Sequence, residues 1–335
     1  MKITSYSLLL AAAACGMALG QTAYTTPVGY ETLSLVTGTN YIGLRLQQPV
    51  VAAGIVSGRT VNSFSDTSGT FVTSVNGGAT TFYIVEFLNA NGVIQEVTGA
   101  SVTSNTTIKL VDDVTAKVPI GTSYKIRKAA TLATTFGASN TAGLTAGFFG
   151  PSGADTVSIP NGLGGFEQYY YDQDQASWAR VVGSTGVLVN GAAIPLIYVD
   201  GIVMGMTKPL SLTVTGELKT QVVAAKVNVG TSFLSSVFPV GATLASTFGS
   251  PATIASLDHG FFGPAGADIF QIPDGLGGFT QYYYDEDQAS WAKVVGSSGV
   301  VVNANSVNLT PGFAFSNVGA AFNLLISPPT SYSGL

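Results

Sequence analysis

Charge is what this chain has least of. Thirteen Lys and Arg and 18 Asp and Glu make up 9% of 335 residues, where an ordinary soluble domain carries about 25%. The shortage is not disorder, because 46% of residues are hydrophobic and there is ample apolar surface to bury. A coiled coil is excluded, since it runs on Lys, Glu and Arg and this chain has 41 Gly instead. Nucleic acid is excluded as a partner by a pI near 4.7 and the lack of a basic footprint. Cys15 is the only cysteine and His259 the only histidine. A disulfide framework, a thiol nucleophile, a His-based metal cluster and a Ser-His-Asp set are therefore not expected. Beyond the first 20 residues no apolar run approaches the ~20 needed to span a bilayer. Nor does any window of a dozen residues carry a helical stripe.

Residues 1–20 read as a secretory signal peptide: Lys2, then the apolar run Leu8 to Ala14, then an Ala18-Leu19-Gly20 cleavage site before Gln21. A second reading makes Ala13-Ala14-Cys15 a lipoprotein attachment site. Cleavage after Gly20 removes Cys15 and Lys2, leaving 12 basic against 18 acidic residues, a net charge of −6. The expected destination is secreted, extracellular or at the cell surface.

The chain repeats itself. Residues 148–183 and 261–296 match at 28 of 36 positions, at an offset of 113. The match extends upstream, from Thr131-Leu132-Ala133 and Phe136-Gly137 to Thr243-Leu244-Ala245 and Phe248-Gly249. Downstream, Gly186-Val187 and Val189-Asn190 recur as Gly299-Val300 and Val302-Asn303. Gly121-Thr122-Ser123-Tyr124 matches Gly230-Thr231-Ser232-Phe233, with a shorter echo at Gly38-Thr39-Asn40-Tyr41. These matches divide the chain into a signal peptide (1–20), an N-terminal β unit (21–120), a first module (121–229) and a second (230–335).

The elements read as strands. Leu210, Leu212 and Val214 alternate with Ser211, Thr213 and Thr215, and Gly216-Glu217 predicts a hairpin into the run from Gln221 to Val229. Thr81 to Leu88, Val93 to Val97 and Thr107 to Val111 are further strands, with Asn89-Ala90-Asn91-Gly92 as the first turn. Thr131 and Thr243 each predict one short helical turn under a hydroxyl cap. The expected fold is all-β, as tandem β-sandwich or barrel-like modules.

Four features are candidates for function. Tyr169, Tyr170, Tyr171 and Trp178 recur as Tyr282, Tyr283, Tyr284 and Trp291. Three successive tyrosines on a strand face both ways, so each copy is expected to present a ring as a sugar-binding platform; cross-strand packing is the plainer reading. Asp172 and Asp174 recur as Asp285 and Asp287. Carboxylates two apart suit calcium, with Asp155 and Asp268 as further ligands if the fold brings them close; a polar hairpin tip is the plainer reading. A glycine run, Gly162-Leu163-Gly164-Gly165, recurs at Gly275-Leu276-Gly277-Gly278; no helix or Lys follows it, so it reads as a turn rather than a phosphate loop. Lys109, Lys117, Lys125, Arg127 and Lys128 read as solvated strand faces. The repeated acids would suit glycosidase chemistry only in a cleft, and the counterpart of His259 in the other copy is Ala146, so no enzyme is expected.

At the Thr131-Leu132-Ala133, Tyr169–Asp172 and Ser177-Trp178 blocks, and over Phe82 to Lys128, the chain resembles an uncharacterised family of secreted bacterial β-rich repeat proteins. The resemblance implies export and a β fold, and brings no activity, cofactor or site residue. The expected function is a non-enzymatic structural or surface protein that self-associates into a filament, layer or matrix, its partner being itself or another surface protein. A second reading is a carbohydrate-binding module pair that meets polysaccharide through the aromatic rings. A third, an outer-membrane β-barrel, is disfavoured by irregular strands.

Overall fold

The computed structural model describes residues 28–75, 82–162 and 164–333. The fold is all-β: about 48% strand, in several sheets that do not close into a barrel. Residues 1–27, including the expected signal peptide, and Leu163 lie outside the described residues. No helix among the described residues is long and apolar enough to cross a membrane.

The two copies build two six-stranded antiparallel sheets of identical order. The first runs Thr185–Val189, Ser177–Val182, Phe166–Asp172, Thr156–Pro160, Ile202–Met206 and Gly38–Ile42. The second runs Ser298–Val301, Ser290–Val295, Phe279–Asp285, Ile269–Pro273, Gly312–Asn317 and Gly230–Ser235. The register matches as well. Tyr171 opposes Trp178 as Tyr284 opposes Trp291, and Ile42 opposes Ile202 as Leu234 opposes Phe313.

This arrangement corrects the division expected at residue 120. The strand equivalent to Gly230–Ser235 is Gly38–Ile42, whereas Gly121–Tyr124 leads into a strand of another sheet, Ser123–Lys128. The first copy is therefore split. Between its first strand and its short helix Leu132–Phe136, the chain departs to build most of a nine-stranded sheet around Val50–Ile55, Ser123–Lys128, Tyr83–Leu88 and Ile94–Val102. Two strands from the far end of the chain, Val223–Val227 and Phe322–Ile326, complete it, the former through one parallel pairing of Val223 with Ile94. The expected hairpin at Gly216-Glu217 is also absent. Leu210–Leu218 runs straight through those residues, paired with Val28–Leu35 and with Leu46–Gln47, while Val223–Val227 belongs to the nine-stranded sheet. Gly216 is there for a close approach, since a Cβ would stand 2.5 Å from the Gln47 carbonyl oxygen.

Local chemistry closes the small elements as expected. Thr131 and Thr243 each cap a five-residue helix by a capping box, with Thr134 and Ser246 as reciprocal partners. Asn89 accepts the amides of Asn91 and Val93 in its turn. The sparse charges are spent partly inside. Glu86, fully buried, accepts from Tyr198 at 2.9 Å, from Arg127 at 3.3 Å and from Lys219; Arg127 also donates to Glu217 at 2.8 Å. This network joins the nine-stranded sheet to the Leu210–Leu218 strand. Burial pulls the Lys219 ammonium down to about 8, against the attraction of Glu86. Arg127 is thus a buried partner rather than a solvated side chain, and Lys117 pairs with Glu96.

Candidate functional site

The tyrosine-tryptophan platforms are core. Tyr169, Tyr170, Tyr171, Trp178, Tyr283 and Trp291 are buried. Trp178 donates its indole N–H to the Gly137 carbonyl at 3.0 Å and packs on Tyr171 and Phe136. Tyr284 lies between Trp291 and His259. A strand can bury alternate rings on opposite faces when both faces are covered. Here the loop ahead of each repeat covers one face, so closely that a Cβ on Gly147 would meet the Tyr170 ring at 2.7 Å. Tyr282 is half-buried and borders a groove.

The repeated carboxylates hold backbone and tyrosine. Asp172 accepts from the Tyr170 hydroxyl and the Gln175 amide, both at 3.1 Å, and Asp285 does the same for Tyr283 and Gln288. Burial first, and the adjacent Asp172 and Asp285 carboxylates second, push the Tyr170 and Tyr283 phenols up to about 12. Asp155 takes the amides of Thr145 and Thr207 at 2.6 Å, and Asp268 those of Asp258 and Val318 at 3.0 Å. Burial raises the Asp268 carboxyl, against those two donors. Asp172, Asp174, Asp285 and Asp287 are the expected calcium ligands, but no group of three or more His, Cys, Asp or Glu among the described residues could hold a metal ion.

Asp174 and Asp287 hold a neighbouring loop rather than a cation. Asp174 accepts the Phe149 amide at 2.7 Å, and Asp287 accepts the Phe262 amide at 2.9 Å. Each bond fixes a Phe-Phe tip: Phe148 and Phe149 meet edge to face at 4.5 Å, as do Phe261 and Phe262. The second ring of each pair is 81% exposed, on a backbone with φ of 55° and 59°. A bulky side chain in left-handed backbone is strained, and such strain collects where function needs a particular presentation. The signal available was the pair of consecutive Phe at the head of the repeat.

The tips stand beside the outer edge of each sheet. A Cβ on Gly150 would lie 2.6 Å from the Ser184 carbonyl oxygen, and one on Gly263 would lie 2.6 Å from that of Ser297. The outermost strands, Thr185-Gly186-Val187-Leu188-Val189 and Ser298-Gly299-Val300-Val301, pair on one side only among the described residues. Neither contains a charged residue or a proline, and Val187, Leu188, Val300 and Val301 are exposed. The inner edges, by contrast, meet each other. Gly201 packs on Leu234 while its equivalent Gly312 packs on Ile42, the equivalent of Leu234; a Cβ would come within 2.8 Å and 2.6 Å of backbone. That reciprocity is the signature of a two-fold arrangement. No family model, curated protein or solved structure matches the chain.

Proposed function

We propose that this protein is a non-enzymatic structural protein of the cell exterior that assembles from copies of itself by pairing of its outer sheet edges. One observation carries the reading: two equivalent open edges, free of charge and each flanked by a Phe-Phe tip, belong to sheets whose inner edges are already joined. An open edge offers a row of unpaired N–H and C=O groups, which monomeric proteins blunt with Lys, Pro or bulges. Neither edge strand carries a Lys, a Pro or a register shift. A molecule with two such edges extends without limit, because each new copy brings a second edge. Scarce charge removes the repulsion that keeps surfaces apart. The expected export signal and the secreted repeat family it resembles supply the setting.

The test is sedimentation velocity and negative-stain microscopy on residues 21–335, beside the double variant Val187→Lys, Val300→Lys. The wild type is expected to form filaments or layers at micromolar concentration. The variant is expected to remain monomeric with unchanged Tm. A wild type that stays a single monodisperse monomer at high concentration overturns the proposal.

A further inference from the structure

The two copies differ at eight positions of the 36-residue block, and two of these differences meet in space. In the first copy Glu167 pairs with Arg180 at 2.9 Å and accepts the Tyr169 hydroxyl at 2.5 Å, and Tyr169 is 3% exposed. In the second copy Thr280 replaces Glu167 and Lys293 replaces Arg180. No ion pair forms there among the described residues, and the Tyr282 ring, equivalent to Tyr169, is half-buried. Three further differences fall on the same spot. Ala193, Ile194 and Pro195 of the first copy are Ser306, Val307 and Asn308 in the second. The result is a groove of about 490 Å³ lined by Tyr282, Thr280, Asn303, Ser306, Asn308 and neighbouring apolar residues.

We propose that this groove is a binding site for a neutral saccharide chain, present in the second copy and closed in the first. The volume falls in the range of small-ligand sites, roughly 300–1,000 Å³. A partly exposed phenol ring gives a flat apolar face for the C–H face of a pyranose. Hydroxyls and amides around it supply both donors and acceptors for sugar hydroxyls. The Asn303 side-chain oxygen Oδ1 accepts the Asn305 amide, which caps the 3-10 turn Ala304–Ser306 and fixes the side chain on the groove wall. No charged side chain lines the groove, so the site fits a neutral chain rather than a uronate or phosphate. The ion pair of the first copy acts as a plug at the equivalent place. This inference is independent of self-association, because the groove uses neither outer edge.

The plug supplies the test. Thr280→Glu with Lys293→Arg rebuilds the first copy's ion pair in the second at the surface, leaving the core untouched. Isothermal titration of the full mature chain would use cello-, xylo-, manno- and malto-tetraose, with tetragalacturonate as the acidic control. One neutral tetraose is expected to bind at one site per chain. The double variant is expected to lose at least tenfold in affinity at unchanged Tm, and Tyr282→Phe to retain the stacking contribution with weaker binding. The inference is overturned if no neutral tetraose binds, if tetragalacturonate binds more tightly, if two sites per chain appear, or if the rebuilt ion pair leaves affinity unchanged.

Discussion

Tyr41 and Phe233 stack in parallel, offset planes, with ring centroids 5.8 Å apart and planes 6° from parallel. They occupy the same position in the two copies, opposite Val203 and Ala314 respectively. The flanking contacts are equivalent too: Tyr41 meets Phe279, and Phe233 meets Phe166. Four rings thus run across the junction, with the central stack where the pseudo-two-fold passes. The copies are joined as the halves of a symmetric dimer would be.

A double-mutant cycle with Tyr41→Leu and Phe233→Leu should expose that stack. Each single variant loses stability, and a coupling of ~1 kcal/mol remains, as for aromatic pairs elsewhere. Equilibrium unfolding in urea measures it. Additive losses would mean that the rings merely cover area.

Gly201→Ala and Gly312→Ala should each cost stability at the upper end of the ~1–3 kcal/mol typical of overpacking. The added methyl collides with backbone of the facing copy, which cannot rotate away. Gly183→Ala, at a turn with open space around it and φ of 63°, should cost only about 1 kcal/mol from its conformation. Thermal unfolding ranks the three.

Asp174→Ala and Asp287→Ala should loosen the Phe tips. Each removes the acceptor of a tip amide, a loss of ~1 kcal/mol, and the expected readout is faster hydrogen exchange at residues 147–150 or 260–263. Calcium or EDTA should leave Tm unchanged in the wild type, since both oxygens of Asp172 and of Asp285 already accept protein donors. A calcium-dependent rise in Tm would restore the metal reading.

Asp200 should make the fold more stable in mild acid than in mild base. Burial first, and the nearby Asp112 charge second, raise its carboxyl from 3.8 to about 7. Between those values the folded chain keeps a proton that the unfolded chain has released. The stabilisation is therefore complete below pH ~4 and lost as pH rises through about 7. Asp200→Asn should shrink the difference in Tm between pH 5 and pH 8 by a few degrees, at roughly 2–4 °C per kcal/mol. A parallel decline in variant and wild type would place the pH dependence elsewhere.

Much of this was legible in the chain itself, where the signals are local. Alternating and valine-rich runs give strands, a Thr hydroxyl three residues before a free amide gives a cap, and a 36-residue near-identity gives two like sheets. The candidate site was less legible. Three tyrosines in a row look the same whether a loop covers their outer face or not, and a pair of Asp residues looks the same whether it meets a cation or a backbone amide.

The sequence alone determined that the protein is all-β, duplicated and poor in charge, because propensity, periodicity and self-similarity act over a few neighbouring residues. Tertiary structure decided the rest. It chose Gly38–Ile42 over Gly121–Tyr124 to complete the first sheet, turned Gly216 from a hairpin into a close approach, buried Arg127 against Glu86, and left Tyr282 half-buried beside a groove where Tyr169 is buried. Each of these choices depends on which backbone or side chain arrives from far along the chain to occupy the facing space, and four-residue strings carry no information about that arrival.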